Sequence, residues 1–247
     1  MSKNDEKMSL VGHLSELRKR LTIIAVVNLI ASILCYQFVD IIMKYILVLG
    51  KGMNLVYISP SELFLVYIKV AFTCGIIISS PITLVQIWQF ISKGLYKKEK
   101  IYIVISLLFG IIFFFGGAYF CYKVVLPTTV NFFVKIAIPG VRPMISIASF
   151  VSFMSTMLIC FGVIFEMPIV VFLLSLTGLV KPKMLLDKQP IFIVAIFVVA
   201  ALITPPDIVS QMFLGIPMVL LFEFSIGVSF VVNFIKGKKR KRLEAEH

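Results

Sequence analysis

The sequence predicts an all-α integral membrane protein of six transmembrane helices with both termini in the cytoplasm, and three observations predict it. The first is composition: 60% of the 247 residues are hydrophobic, 15% are charged, and the mean hydropathy is +1.05. Soluble domains run about 45–50% apolar and ~25% charged. The second is six apolar stretches, Leu21–Met43, Leu63–Trp88, Ile101–Leu126, Phe150–Leu179, Pro190–Thr204 and Ile208–Ile235, each a candidate span for a bilayer that needs ~20 residues per helix. The third is the placing of the basic residues. Eighteen of the 24 Lys and Arg fall in the N-terminal segment, in residues 93–100, in residues 181–188 and in the tail, five fall in the alternate loops, and Lys69 lies within span two. An excess of Lys and Arg marks the cytoplasmic side.

This pattern divides residues 1–247 into a cytoplasmic amphipathic segment (1–20), a six-span bundle (21–235) and a basic cytoplasmic tail (236–247), with no room for a further soluble domain. In the first segment Leu10, Leu14, Leu17 and Leu21 form one stripe at helical spacing, as expected of an interfacial helix leading into span one. Glu16 has Arg20 four residues on as an intrahelical partner. Span one is long enough to remain an anchor, so no cleavable signal peptide is expected. In the loop before span two, Ile58-Ser59-Pro60-Ser61-Glu62, Pro60 ends any preceding helix and Ser61 is expected to cap the next.

The segment after span two, Trp88 to Lys100, mixes aromatic and basic residues and holds one acid, Glu99. Residues 127–149 contain Pro139-Gly140 and Pro143, which read as a cap built of turns. Spans five and six are expected to be short and joined in a tight hairpin at Thr204-Pro205-Pro206-Asp207. Span five, at 15 residues, reaches only ~22 Å, less than a ~30 Å hydrocarbon core.

Function is first sought at Glu166, the one charged residue between Phe150 and Leu176, because a carboxylate at membrane depth costs several kcal/mol unless it finds a partner, a proton or water. Glu223 is a second acid, inside span six. Glu16 and Glu99 stand at the cytoplasmic face among basic neighbours, where a cationic ligand could meet them; a guanidinium suits a carboxylate because its planar fork makes two parallel bonds. No catalytic residue is assigned, because HExxH, GxSxG and paired intramembrane Asp are all missing from the sequence. No metal ligand set or cofactor is expected: His13 has no second His or Cys at ligand spacing, and Cys35, Cys74, Cys121 and Cys160 lie in apolar spans as packing residues. The net charge of +12 reads as a topology signal and an attraction to anionic lipid, not as a nucleic-acid site.

Five motifs in order resemble those of the TatC family, the multi-spanning core of the twin-arginine protein translocase. They are His13-Leu14-Ser15-Glu16-Leu17-Arg18-Lys19-Arg20, Ser59-Pro60-Ser61-Glu62, the Trp88–Lys100 segment, Phe161-Gly162-Val163-Ile164-Phe165-Glu166-Met167-Pro168, and Thr204-Pro205-Pro206-Asp207 with Gln211. The resemblance implies a curved, concave bundle in the bacterial inner membrane that receives twin-arginine signal peptides and exports folded proteins using the proton-motive force. It implies that Glu16 and Glu99 bind the two signal arginines, with Leu17 and Phe90 forming the adjoining apolar contact, and that Glu166 lines the concave face. Pro60, Pro168, Pro205, Asp207 and Gln211 become scaffold or partner contacts. The implied partners are TatA-like or TatB-like single-span subunits, the lipid bilayer and further copies of the chain. The rival reading is a proton-coupled secondary transporter using Glu166.

Overall fold

The computed structural model describes residues 10–92, 100–136, 144–204 and 207–245. Among them are ten α-helices: α1 (Leu10–Tyr36), α2 (Val39–Leu49), α3 (Pro60–Ser92), α4 (Lys100–Phe120), α5 (Leu126–Lys135), α6 (Ile147–Ile164), α7 (Met167–Thr177), α8 (Pro182–Asp187), α9 (Gln189–Ile203) and α10 (Ile208–Ala245). A π-helical turn, Cys121–Val125, joins α4 to α5. Five segments are long and apolar enough to cross a membrane: Leu14–Tyr36, Pro60–Phe90, Val104–Lys135, Ile147–Thr177 and Ile208–Lys238. The expected fifth span is the shorter apolar helix α9, of 15 residues. The sixth is not short: α10 runs for 38 residues, or ~57 Å, because nothing after Pro217 breaks its helical run.

The first span also departs from expectation. Helix α1 is continuous from Leu10 into the apolar run, and it stops at Tyr36, so that residues up to Met43 belong to a separate helix, α2. Against α1 lies α3, in the most extensive helix pairing of the molecule. Gly75 makes that crossing close: a Cβ there would come within 2.2 Å of Ser32 Oγ and 2.7 Å of its backbone nitrogen. Small residues serve this purpose in membrane bundles, where dispersion contacts, not water exclusion, hold helices together. Ser79 adds a hydrogen bond to Asn28 Oδ1 across the same seam.

Prolines inside these helices are accommodated locally. Pro81 has no N–H for the carbonyl of Ile77, and the Ser80 hydroxyl donates to that carbonyl instead at 2.7 Å, the kind of rescue that lets proline persist in a membrane helix. Before Pro127 the chain widens into the π-turn, where the Leu126 N–H reaches back to the Cys121 carbonyl. Span four breaks at Phe165-Glu166, just ahead of Pro168, which separates α6 from α7.

On the side of the bundle where α3 and α6 begin, Asn54–Val56 (β1) pairs in parallel with Met144–Ser146 (β2), strand pairing where only turns were expected. Glu62 ties this end together. Its carboxylate accepts from the Ile58 N–H at 2.7 Å, from the Ala148 N–H at 3.2 Å and from the Ser146 hydroxyl, so one acid satisfies orphan donors at the starts of both α3 and α6. The cap of α3 is Ser59, whose hydroxyl accepts from the Glu62 N–H at 3.3 Å, and not Ser61. Ser61 only shares a hydroxyl contact of 2.9 Å with Ser59; it already lies inside the helix, one residue past Pro60.

At the opposite end, Trp88 near the end of α3 packs in one buried cluster with Leu84, Phe114, Ile169 and Leu173. This cluster gathers the C-terminal part of α3, Phe114 of α4 and α7. Lys236 of α10 donates to the carbonyls of Ser175 (3.3 Å) and Leu176, capping α7 with a cation as a helix C-terminus favours. The N-terminal end of α1, the ends of α3, α7 and α10, and the basic 181–188 segment therefore share one end of the molecule.

Candidate functional site

The site at this end is built by two antiparallel helices. The start of α1 carries Gly12, Ser15, Glu16, Lys19 and Arg20, and the last turns of α3 carry Gln86 and Gln89; between them lies an open hollow of about 460 Å³. Arg20 lies along one wall. Its Nε and Nη2 donate to Glu16 Oε1 at 2.9 and 2.7 Å. Its Nη1 donates to the Gln86 carbonyl at 3.2 Å, to Gln86 Oε1 at 3.1 Å and to Gln89 Oε1 at 3.0 Å. The pair is largely sheltered, with 13% and 10% of the two side chains exposed. One carboxylate and two amide oxygens thus make a cage of acceptors shaped to a planar guanidinium, and the chain's own Arg20 fills it.

Apolar surface borders the cage. Leu14, Leu17 and Leu21 are exposed, by 65%, 38% and 56%, so the leucine stripe of α1 is not covered by the rest of the described chain. Phe90, one residue past Gln89, is half-buried. Glu99 lies outside the described residues. Sequence reasoning missed Gln86 and Gln89. Their one signal was position, since both fall in the last two turns of a helix whose end was expected at the same face as Glu16.

The remaining predicted residues lie elsewhere. Glu166 is 8% exposed at the break between α6 and α7, and neither carboxylate oxygen has a hydrogen-bond partner among the described residues. Gly110 of α4 makes room for it, because a Cβ there would stand 3.0 Å from Glu166 Oε2. Gly117, one helical ridge further along α4, does the same for Phe165. Pro168 is buried in the first turn of α7, and Pro60 is exposed at the first position of α3. Pro205 lies outside the described residues. Asp207 caps α10 by accepting from the Ser210 N–H at 2.7 Å, and Gln211 Nε2 donates to the Phe197 carbonyl at 2.9 Å, which ties α10 back to α9. Glu223 accepts from the side-chain amide of Gln189. The structure does not bring Glu166, Asp207 or Gln211 to the Glu16 site.

A comparison with protein-family models matches residues 12–217 to the family described as "Sec-independent protein translocase protein (TatC)". The chain belongs to the TatC family. It is 35% identical over 238 residues to the Sec-independent protein translocase protein TatC of Carboxydothermus hydrogenoformans, covering 95% of this chain and 97% of that one. It is 39% identical over 249 residues to TatC of Escherichia coli K12, covering 97% and 94%. Among solved structures it is similar to a crystal structure of the twin arginine translocase receptor TatC, with a TM-score of 0.82, 34% identity, and coverage of 90% of this chain and 99% of that one. The molecule is therefore a multi-pass membrane component of the Sec-independent translocase, and the comparisons favour this reading over the proton-coupled carrier.

Proposed function

We propose that this TatC-family chain is the twin-arginine signal-peptide receptor of its translocase, with Glu16 as one of two carboxylates that hold the signal arginines. The observation that carries the reading is the guanidinium-shaped cage of Glu16, Gln86 and Gln89, which Arg20 occupies in the unliganded chain. A signal arginine binds by taking over these acceptors as Arg20 swings out toward solvent. Glu99 supplies the second carboxylate. The exposed leucine stripe with Leu17, together with Phe90, receives the apolar part of the signal. No step of this role is enzymatic: recognition and passage use binding energy and the proton-motive force.

The proposed topology has α9 as a sixth, thin crossing, so that both termini lie in the cytoplasm with the Arg20 site. The α9–α10 hairpin, held by Asp207 and Gln211 and turned at Pro205, offers the surface for TatA-like or TatB-like helices or for further copies of the chain. Pro60 and Pro168 fix the helix starts around it. Glu166 lines the concave face of the bundle.

The test is equilibrium binding of a twin-arginine peptide and a twin-lysine control to purified protein. Glu16→Gln and Glu99→Gln are each expected to weaken the arginine peptide while Glu166→Gln leaves it unchanged. Charge-assisted hydrogen bonds are worth ~1.5–3 kcal/mol, but the ligand only replaces bonds that Arg20 already makes, so the loss belongs near the lower end, about tenfold. Unchanged affinity in both variants overturns the assignment.

A further inference from the structure

Lys69 is a cation within an apolar span that the proposed signal-peptide site does not use. Lys69 sits in span two nine residues after Pro60, ~13.5 Å along α3, on the membrane side opposite Arg20. Its amine is exposed and donates to Ser152 Oγ at 2.7 Å, while the Ser152 hydroxyl is itself directed to the Ala148 carbonyl at 2.5 Å. Among the described residues no carboxylate stands within ion-pair distance of Lys69. Glu62, two turns nearer the helix start, is already engaged by Ile58, Ala148 and Ser146. An ammonium at this depth costs several kcal/mol unless an anion or water reaches it.

Beside Ser152 is a hollow of about 430 Å³ between α6 and the end of α9, walled by Ser149, Ser152, Thr156, Thr204 and the ring of Phe153. Three hydroxyl residues from the first three turns of α6 are thus grouped with Thr204, the residue that follows α9. The Ser152 and Thr204 hydroxyls already donate to the carbonyls of Ala148 and Ala200, so the donors suited to a phosphate are the Lys69 ammonium and the hydroxyls of Ser149 and Thr156.

We propose that Lys69 and this hydroxyl-lined hollow bind the phosphate of a membrane phospholipid, drawing its headgroup below the ordinary interface between α6 and α9. The lipid supplies the countercharge that the protein withholds. Thr204 and Phe153 flank the phosphate, and a Lys-length side chain reaches it by extending toward the surface.

Native mass spectrometry of the full chain in micelles with phosphatidylglycerol tests this, with diacylglycerol as the lipid lacking phosphate. Wild type and Lys69→Arg are expected to retain one phosphatidylglycerol under activation, and Lys69→Gln and Ser152→Ala to lose it several-fold, with melting temperatures showing that each variant is folded. If Lys69→Gln does not fold, Ser152→Ala and Thr156→Val carry the comparison. Equal retention in all folded variants overturns the proposal, as does diacylglycerol binding as well as phosphatidylglycerol. Displacement of the lipid by millimolar inorganic phosphate also overturns it, in favour of a soluble anion. So does a Lys69→Gln variant that keeps its lipid but loses a co-purifying subunit, which would assign the site to an acidic partner helix. Each readout is independent of signal-peptide binding, so its failure leaves the receptor reading untouched.

Discussion

Arg20 decides how the recognition site behaves in the absence of ligand. Five hydrogen-bond contacts hold its guanidinium, so Glu16 is not a bare carboxylate waiting for a cation but half of an internal ion pair. The charge pattern allowed both readings of Glu16, as partner of Arg20 and as receptor of a foreign arginine; the geometry shows the first, and the proposed function takes it as the resting state of the second. An internal competitor lowers apparent affinity by the fraction of time it holds the site. Arg20→Gln is therefore expected to tighten a twin-arginine peptide several-fold in calorimetric titration, and Arg20→Lys, which cannot span Glu16 and both glutamines with a planar fork, to give an intermediate gain. A weakened peptide in Arg20→Gln would mean that Arg20 organises Glu16 instead of competing for it. The same balance separates Glu166 from Glu16. Among the described residues Glu166 has no donor on either oxygen, so replacing it by the neutral isostere Gln breaks no hydrogen bond seen there. Glu166→Gln is expected to melt no lower than wild type, read by thermal unfolding in detergent.

At the scale of elements, helix starts and crossings carry the fold, and they respond unequally to substitution. Glu62→Ala strips acceptors from the first turns of both α3 and α6 and leaves the half-buried donors of Ser146 and Ala148 without their acceptor, whereas Ser61→Ala removes only a hydroxyl contact. The expected outcome is a clear drop in melting temperature for Glu62→Ala and next to none for Ser61→Ala. At the α1–α3 seam, Gly75→Ala would set a methyl 2.2 Å from Ser32 Oγ, and overpacking of this kind costs about 1–3 kcal/mol. Pairing it with Ser32→Gly should recover part of that loss, since the two positions share one contact. Much of this was legible in the sequence. The apolar runs located the helices, and Pro60 marked the start of α3 and the Thr204–Asp207 turn the approach to α10, but the break of span four ahead of Pro168 was not read from the sequence. What the sequence hid were choices between near-equivalents: Ser59 over Ser61 as cap, and the end of α1 at Tyr36 within an apolar run that continues to Met43. The bond of Glu62 to a strand 84 residues away was hidden as well. Hydropathy is blind to all three, because each depends on tertiary neighbours of similar polarity.

For the molecule as a whole, the decisive arrangement is that one end collects the charge. The buried cluster that includes Trp88, Phe114 and Leu173, and the bonds from Lys236 to the end of α7, bring the basic segments of α1, the 181–188 connection and α10 to the end that holds the Arg20 cage. Lys44 and Lys51 lie at the other end, beside β1. In the proposed topology that crowded end faces the cytoplasm, as an excess of Lys and Arg favours, and the chain crosses the membrane an even number of times from α1 to α10. Five long segments give an odd count, so this topology has α9 cross as well, with ~22 Å of helix in a ~30 Å core, at the modest cost per ångström of thinning the bilayer around it. Fluorescent-protein fusions at either terminus, active only when retained in the cytoplasm, are expected to fluoresce at both. Cysteines placed at Lys51 and at Ile208 are expected to react with an impermeant maleimide added from outside, and one at Lys183 only after the membrane is opened. Equal accessibility at the two positions, with Lys183→Cys and Ile208→Cys both labelled in intact cells or both only after the membrane is opened, would mean that α9 turns back without crossing.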